Sequence, residues 1–333
     1  MSKPRNLADI AVLAGVSTAT VSRALADHPS VRAATRERIL ALAREHDVRP
    51  NQLARNLRLR HTGAIGLAMP LGHARTQHLT DPFFLTLLGF LADGLVERGY
   101  DILLSRVIPS CDDWLDRLVD SGRTDGLILI GQSDQYDTIE RVAERYAPLV
   151  VWGVHRDGQR QLTIGSDNHG GGRLAAEHLA AQGRQRLLFV GDPAPPEFAD
   201  RLAGFRTGAA AAGGTVEVLA TAMTPDQALA GVRARIAAGD VPDGIFAASD
   251  VVAMSVLRAL AEAGVAVPDE ATVVGYDDVT LAAQTVPPLT TIRQDLAKGA
   301  GLMIEAMMRR IAGEPATSTV LPPELIVRGS SLS

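Results

Sequence analysis

The chain has 333 residues, 46% of them hydrophobic and 21% charged, with a formal net charge of −5. Its one cysteine excludes an internal disulfide and fits a reducing compartment, and no apolar run approaches the roughly 20 residues needed to span a bilayer. The length exceeds what one α/β core usually needs, so more than one folding unit is expected. Charge is unevenly placed. Residues 1–60 carry 11 Lys and Arg against 5 Asp and Glu, a net of +6, and the remainder carries −11. A basic head on an acidic body is the footprint of a polyanion-binding segment.

Leu7, Ile10, Ala11 and Ala14 recur at helical spacing, with Asn6 placed to cap the helix and Asp9 in its first turn. Gly15 is free to take positive φ and end it. Ser17 then caps a second helix, with Val16, Val21 and Leu25 facing inward and Thr18, Ala19, Ser22 and Arg23 facing out. A third helix over 33–44 supplies Ile39, Leu40, Leu42 and Ala43 to the packing that such short helices require. A helix–glycine turn–helix of this kind suits the major groove of DNA. The plain alternative is three ordinary amphipathic helices. From Pro50 to Arg60, Leu53 and Leu57 lie one turn apart among Arg55, Arg58 and Arg60. Eleven residues are too few for a stable helix alone, so these residues by themselves read as a solvated linker.

Beyond residue 62, apolar runs at 64–69, 102–104, 126–130, 149–152, 187–190, 244–248 and 272–275 alternate with helical stretches. The last long helix is expected over about Leu296 to Ile311. Continuous apolar strands alternating with helices imply parallel sheets covered on both faces, and two lobes with a cleft between them. Ligands in such folds sit beyond the carboxyl ends of strands, which singles out His155, Asp167, Asp192, Asp250 and Asp277. Trp152 fits core and cleft wall equally. The run Gly170-Gly171-Gly172 could cradle a phosphate. Without a G-x-G-x-x-G pattern or a P-loop lysine, it reads better as a strand-to-helix turn. No G-x-S-x-G elbow and no zinc-spaced histidines occur, so the expectation is no enzyme, no cofactor and no metal. The start Met1-Ser2-Lys3-Pro4-Arg5 has no apolar h-region behind it, so a cytoplasmic protein is expected.

The run Ala14-Gly15-Val16-Ser17-Thr18-Ala19-Thr20-Val21-Ser22-Arg23 closely resembles the recognition segment of the lac repressor (LacI) family of transcription regulators. The resemblance continues through residues 35–39, 49–58, 275–278 and 287–292 and so spans nearly the full length. One departure is Arg32, where the family usually has a helix-capping serine. The resemblance implies an all-α helix-turn-helix head (1–49), a hinge helix and linker (50–61), and a two-lobed α/β effector domain of periplasmic-binding-protein type (62–333). The first lobe would hold about 62–163 and 293–320, and the second about 164–292 plus the C-terminal strand. Crossings are expected near Thr163–Asp167, Leu289–Arg293 and Thr319–Pro322.

The resemblance also implies roles. Ser17, Thr18, Ala19, Thr20, Ser22 and Arg23 would meet DNA. Ala19 offers at most an apolar contact, and the Arg23 fork matches guanine O6 and N7, with a phosphate contact as its alternative. Asn51, Ala54, Arg55 and Leu57 would fold onto the minor groove, with Leu57 as the apolar wedge. An effector would meet Arg201, Asp250 and Asp277, with Asp167 at the lobe crossing, Phe83 and Phe84 as the first-lobe wall, and His155 from the strand-end rule. Asp250 and Asp277 could instead serve as helix caps or a lobe-closing ion pair. An arginine, two acids and aromatic faces fit a neutral carbohydrate first and a purine or nucleoside second. The implied partners are a palindromic operator and a second copy of the chain. A dimer is preferred because Val327–Ser333 carries no heptad tail. A sugar-binding protein or an enzyme without DNA function are the rival classes.

Overall fold

In the computed structural model the described residues are 6–25, 27–48, 61–70, 80–109 and 111–331. The chain divides into two compact units between Thr62 and Gly63. Among the described residues no single helix is long and apolar enough to cross a membrane.

The first unit is a three-helix bundle of α1 (Leu7–Ala14), α2 (Thr18–Leu25) and α3 (Ala33–Glu45). Asn6 accepts hydrogen bonds from the Ala8 and Asp9 amides at 2.8 and 3.0 Å. Gly15 ends α1 at φ +62°, in the left-handed region. Ile10, Ala11, Ala14, Val21, Ala24, Val31, Ile39, Ala43 and Val48 are buried, and Leu7, Val16, Leu25 and Leu42 pack on their cluster. Leu40, expected inside, is only half-buried. Arg38 donates to the Ala14 carbonyl at 2.8 Å, satisfying an acceptor that the end of α1 leaves open. Arg32 stands at the start of α3 and makes no side-chain cap.

The second unit builds its first lobe from β1 (Ala64–Pro70), α4 (Pro82–Val96), β2 (Asp101–Val107), α5 (Trp114–Val119), β3 (Gly126–Ile130), α6 (Tyr136–Ala143), β4 (Leu149–Trp152) and β5 (Leu162–Ser166). The second lobe follows with α7 (Asn168–Ala181), β6 (Arg186–Gly191), α8 (Pro196–Ala211), β7 (Thr215–Ala220), α9 (Pro225–Ala237), β8 (Gly244–Ala247), α10 (Asp250–Glu262), β9 (Thr272–Asp277) and β10 (Thr290–Arg293). Helix α11 (Leu296–Ile311) and β11 (Thr319–Leu321) return to the first lobe, and β12 (Glu324–Ile326) to the second.

The first sheet runs β11-β5-β4-β3-β1-β2, all parallel. The second runs β12-β10-β9-β8-β6-β7, parallel except for β12 against β10. Every residue of β3, β4, β8 and β9 is buried, as strands covered on both faces require, whereas the edge strands β2 and β7 alternate. Pairing of β5 with β11 persists through Ser166, and pairing of β10 with β9 through Arg293. The chain therefore passes between lobes at Asp167, at Gln294–Asp295 and at Pro322–Pro323. Strand pairing that continues to Ser166 and to Arg293 sets the first two crossings.

Gly170, Gly171 and Gly172 lie inside the first turns of α7, not in a turn before it. Their role is packing. A Cβ on Gly172 would lie 1.9 Å from the Arg201 carbonyl oxygen, and one on Gly204 1.8 Å from that of His169. The two helices thus cross backbone to backbone, which fixes α8 and the residues it presents.

Candidate functional site

On α2, Thr18, Ala19 and Arg23 are exposed and Ser22 is half-buried. Among the described residues no hydrogen bond or ion pair engages the exposed Arg23 side chain, so its planar fork faces outward. The Ser17 hydroxyl accepts from the Thr20 amide at 3.1 Å and meets the Thr20 hydroxyl at 2.9 Å, so these two side chains hold the start of the helix. Asn51, Ala54, Arg55 and Leu57 lie outside the described residues.

Between the two lobes, beyond the carboxyl ends of both sheets, lies a cavity of about 640 Å³ including its open mouth. The first lobe contributes Asp81, Phe83 and Phe84 at the start of α4, Ser133 after β3, and Trp152 at the end of β4. Phe83 lies 5.4 Å from Phe84 and 6.2 Å from Trp152, ring centre to ring centre, so three rings form one wall. The second lobe contributes Glu197, Phe198 and Arg201 from the first two turns of α8, Ser249 before α10, and Asp277 at the end of β9.

Arg201 is only 4% exposed. Its Nε donates to Asn168 Oδ1 at 2.8 Å and its Nη1 to the Ala248 carbonyl at 2.5 Å. Its guanidinium lies 3.6 Å from the centre of the Tyr276 ring and 5.0 Å from that of Phe198. Asp277 takes a 2.7 Å hydrogen bond from Gln294 and approaches Arg201 Nη1 to 3.9 Å. Its φ of +115° is rare for a residue with a Cβ and marks a backbone held in place by its surroundings. Glu197 accepts from the Gln132 amide of the opposite lobe at 3.2 Å.

The sequence reading of this site needs revision at several points. Phe83, Phe84, Arg201 and Asp277 share the cavity; His155, Asp167 and Asp250 are not on its wall. His155 is exposed in the segment after β4, 3.5 Å from the Thr163 hydroxyl. Asp167 caps α7, accepting from the Gly170 amide at 2.8 Å. Asp250 is fully buried, accepting from the Thr291 hydroxyl at 2.6 Å and the Val279 amide at 2.9 Å. Ser249, not Asp250, caps α10. Trp152, open between core and cleft, is on the wall. Asp81 lies in the run Asp81-Pro82-Phe83-Phe84 read from sequence as the first-lobe wall, whereas Glu197 and Phe198 were not expected. Glu197 and Phe198 were legible only as the residues four and three before Arg201, on the same helical face.

Burial pushes the Asp277 carboxyl up to about 7, with Arg201 pulling it down and Asp81 pushing it further up. Burial and the neighbouring Asp277 raise Asp250 well above the usual carboxylate range. Burial also raises Glu197. A carboxyl whose folded pKa exceeds its unfolded value of about 3.9 binds its proton more tightly when folded. Its contribution is fully present below about pH 4 and is lost as pH rises through the folded value. Stability should therefore fall between about pH 4 and pH 7, and Asp277→Asn should flatten part of that slope. Urea melts at half-unit pH steps test this; an unchanged slope in the variant would show Asp277 ionised throughout.

A three-helix DNA-reading unit joined to two parallel-sheet lobes around an aromatic and acidic cleft is the build of a transcription regulator with a binding-protein-like sensor. Residues 6–51 match the profile described as "Bacterial regulatory proteins, lacI family", and residues 176–331 that of a "Periplasmic binding protein-like domain". The transcriptional regulator MalR of Streptomyces coelicolor is 32% identical, over 98% of this chain and 96% of its own. The lac repressor dimer bound to operator and an anti-inducer is 26% identical, with a TM-score of 0.86 over 99% of this chain and 100% of that one. The regulator CelR in complex with cellobiose is 30% identical, with a TM-score of 0.72 over 97% and 99%. The chain belongs to the LacI family of bacterial transcription regulators. It is a transcriptional regulator.

Proposed function

We propose that this regulator binds a palindromic operator as a homodimer in the cytoplasm, and that a carbohydrate in the cleft sets its operator affinity. The observation that carries this reading is the cavity wall itself, drawn from both lobes. A ligand touching both lobes binds one arrangement of them better than another, and that difference is what shifts affinity at a second site. Ring faces of Phe83, Phe84 and Trp152 suit the C–H face of a sugar, and Asp277 accepts from hydroxyls. The cellobiose held by CelR supports the same class of ligand.

On the DNA side, Thr18, Ala19, Ser22 and Arg23 read base edges, with Ser17 and Thr20 fixing the helix that presents them. One such helix covers too few base pairs for genomic selectivity, so two-fold pairing on half-sites about one turn apart follows. The hinge residues Asn51, Ala54, Arg55 and Leu57 take the minor-groove role the family resemblance implies.

Arg23→Ala should weaken operator binding and relax preference at one base pair, by about 1–3 kcal/mol of discrimination. Binding to a set of single-base operator variants at fixed salt checks this. Equal weakening on every sequence would reduce Arg23 to a phosphate contact. For the cleft, sugars and nucleobases are added to the operator complex in turn. Release or tightening by a nucleobase alone would replace the carbohydrate reading.

A further inference from the structure

Asp250, expected from sequence to meet the effector, lies behind the cleft wall and is fully buried. What it holds there is the turn that follows β9. Asp277 and Asp278 are consecutive non-glycine residues at positive φ, +115° and +56°. Such a conformation is costly for residues with a Cβ and persists only where the surroundings impose it. The Asp250 carboxyl takes the Val279 amide at 2.9 Å with one oxygen and the Thr291 hydroxyl at 2.6 Å with the other. The same hydroxyl accepts, more weakly, from the Asp278 amide at 3.4 Å. The two amides that follow Asp277 are thus tied, directly or through Thr291, to one carboxyl. The Asp250 amide, at the start of α10, donates to the Asp277 carboxyl beside the hydrogen bond from Gln294. Gly275 leaves the room for this: a Cβ there would collide with Asp250 Oδ1.

We propose that Asp250 is a positioning residue for the effector site: it fixes the turn at 277–279 and so aims the Asp277 carboxyl into the cleft, without touching the ligand itself. This rests on the reading above in which Asp277 accepts from effector hydroxyls, and deepens it. The arrangement does not depend on the charge of Asp250. The Val279 amide only donates, so it needs one oxygen. The Thr291 hydroxyl donates or accepts, so an oxygen or an amide nitrogen serves it equally. Asparagine at 250 therefore keeps both hydrogen bonds, and alanine keeps neither.

The test uses full-length protein labelled with carbon-13 at the aspartate side-chain carboxyls, the Asp277 signal being the one lost in Asp277→Asn. Its titration midpoint, about 7 in the parent, should be kept in Asp250→Asn. In Asp250→Ala the turn relaxes, water reaches the carboxyl, and the midpoint should fall toward the ordinary value of about 4. Thr291→Val removes the hydroxyl and keeps the volume. It should lower the midpoint in the same direction, and it carries the comparison if Asp250→Ala does not fold. Glucose, ribose, maltose and cellobiose are then added in turn to each operator complex. A sugar that acts on the parent should act alike on Asp250→Asn and need a concentration roughly tenfold higher or more in Asp250→Ala and Thr291→Val. An unchanged midpoint or an unchanged sugar response in those two variants would overturn the inference. Asp250→Asn as impaired as Asp250→Ala would also overturn it, because the effect would then trace to charge. Midpoints that move as expected, with no response of the parent to any of the four sugars, would support the positioning and tell against the carbohydrate reading.

Discussion

Arg201→Ala should abolish the effector response and lower the unfolding free energy by about 3–5 kcal/mol. Both effects have the same origin. The guanidinium is buried between two rings, holds Asn168 and the Ala248 carbonyl, and is the positive charge nearest Asp277. Truncation leaves two acceptors without their donor and a buried carboxyl without its counter-charge. The head is a compact unit separate from the cleft, so the folded fraction should still bind operator at low temperature. Urea melts give the stability change, and operator titrations with and without effector give the response. The double variant Arg201→Met with Asp277→Asn separates causes. If the uncompensated carboxyl dominates, the double variant should recover much of the lost stability while remaining deaf to effector. Stability no better than that of Arg201→Ala would place the cost in lost packing and hydrogen bonds instead.

What the sequence disclosed follows from what local rules encode. Asn6, Gly15 and Ser17 mark helix ends because caps depend on side chains within three residues of the end, and all three act as expected. Runs such as Gly126–Ile130 and Thr272–Asp277 announce themselves as buried strands because both faces are covered. The cleft was less legible. The strand-end rule gives a position along the chain but not the direction of a side chain. Asp250 and Asp277 both follow strands, yet one turns back to Val279 and Thr291 while the other, at positive φ, faces the cavity. Glu197 and Phe198 carry no mark beyond their spacing from Arg201 on one helical face. They reach the cleft because α8 is held tightly against α7, a fact that resides in two glycines some thirty residues apart. The glycine run at 170–172 was read for its turn chemistry, whereas its meaning lies in what it packs against.

That close approach gives the second large expected effect. Gly172→Ala should cost about 3 kcal/mol, the upper end of what overpacking usually costs. The added methyl would lie 1.9 Å from the Arg201 carbonyl oxygen and 2.8 Å from the Phe205 amide nitrogen. Both are backbone atoms, so no rotamer change relieves the clash and α8 must move away from α7. Since α8 carries Glu197, Phe198 and Arg201, the shift should remove the effector response even under conditions where the protein stays folded. Operator binding should persist, because the head lies in a separate unit. Gly301→Ala is the matched control. It lies within α11 with nothing inside 4 Å of the new methyl, so the higher helix propensity of alanine should stabilise by up to about 1 kcal/mol. Thermal melts of the two variants should therefore move in opposite directions. A Gly172→Ala protein as stable and as responsive as the parent would mean that the two helices can separate without disturbing the cleft.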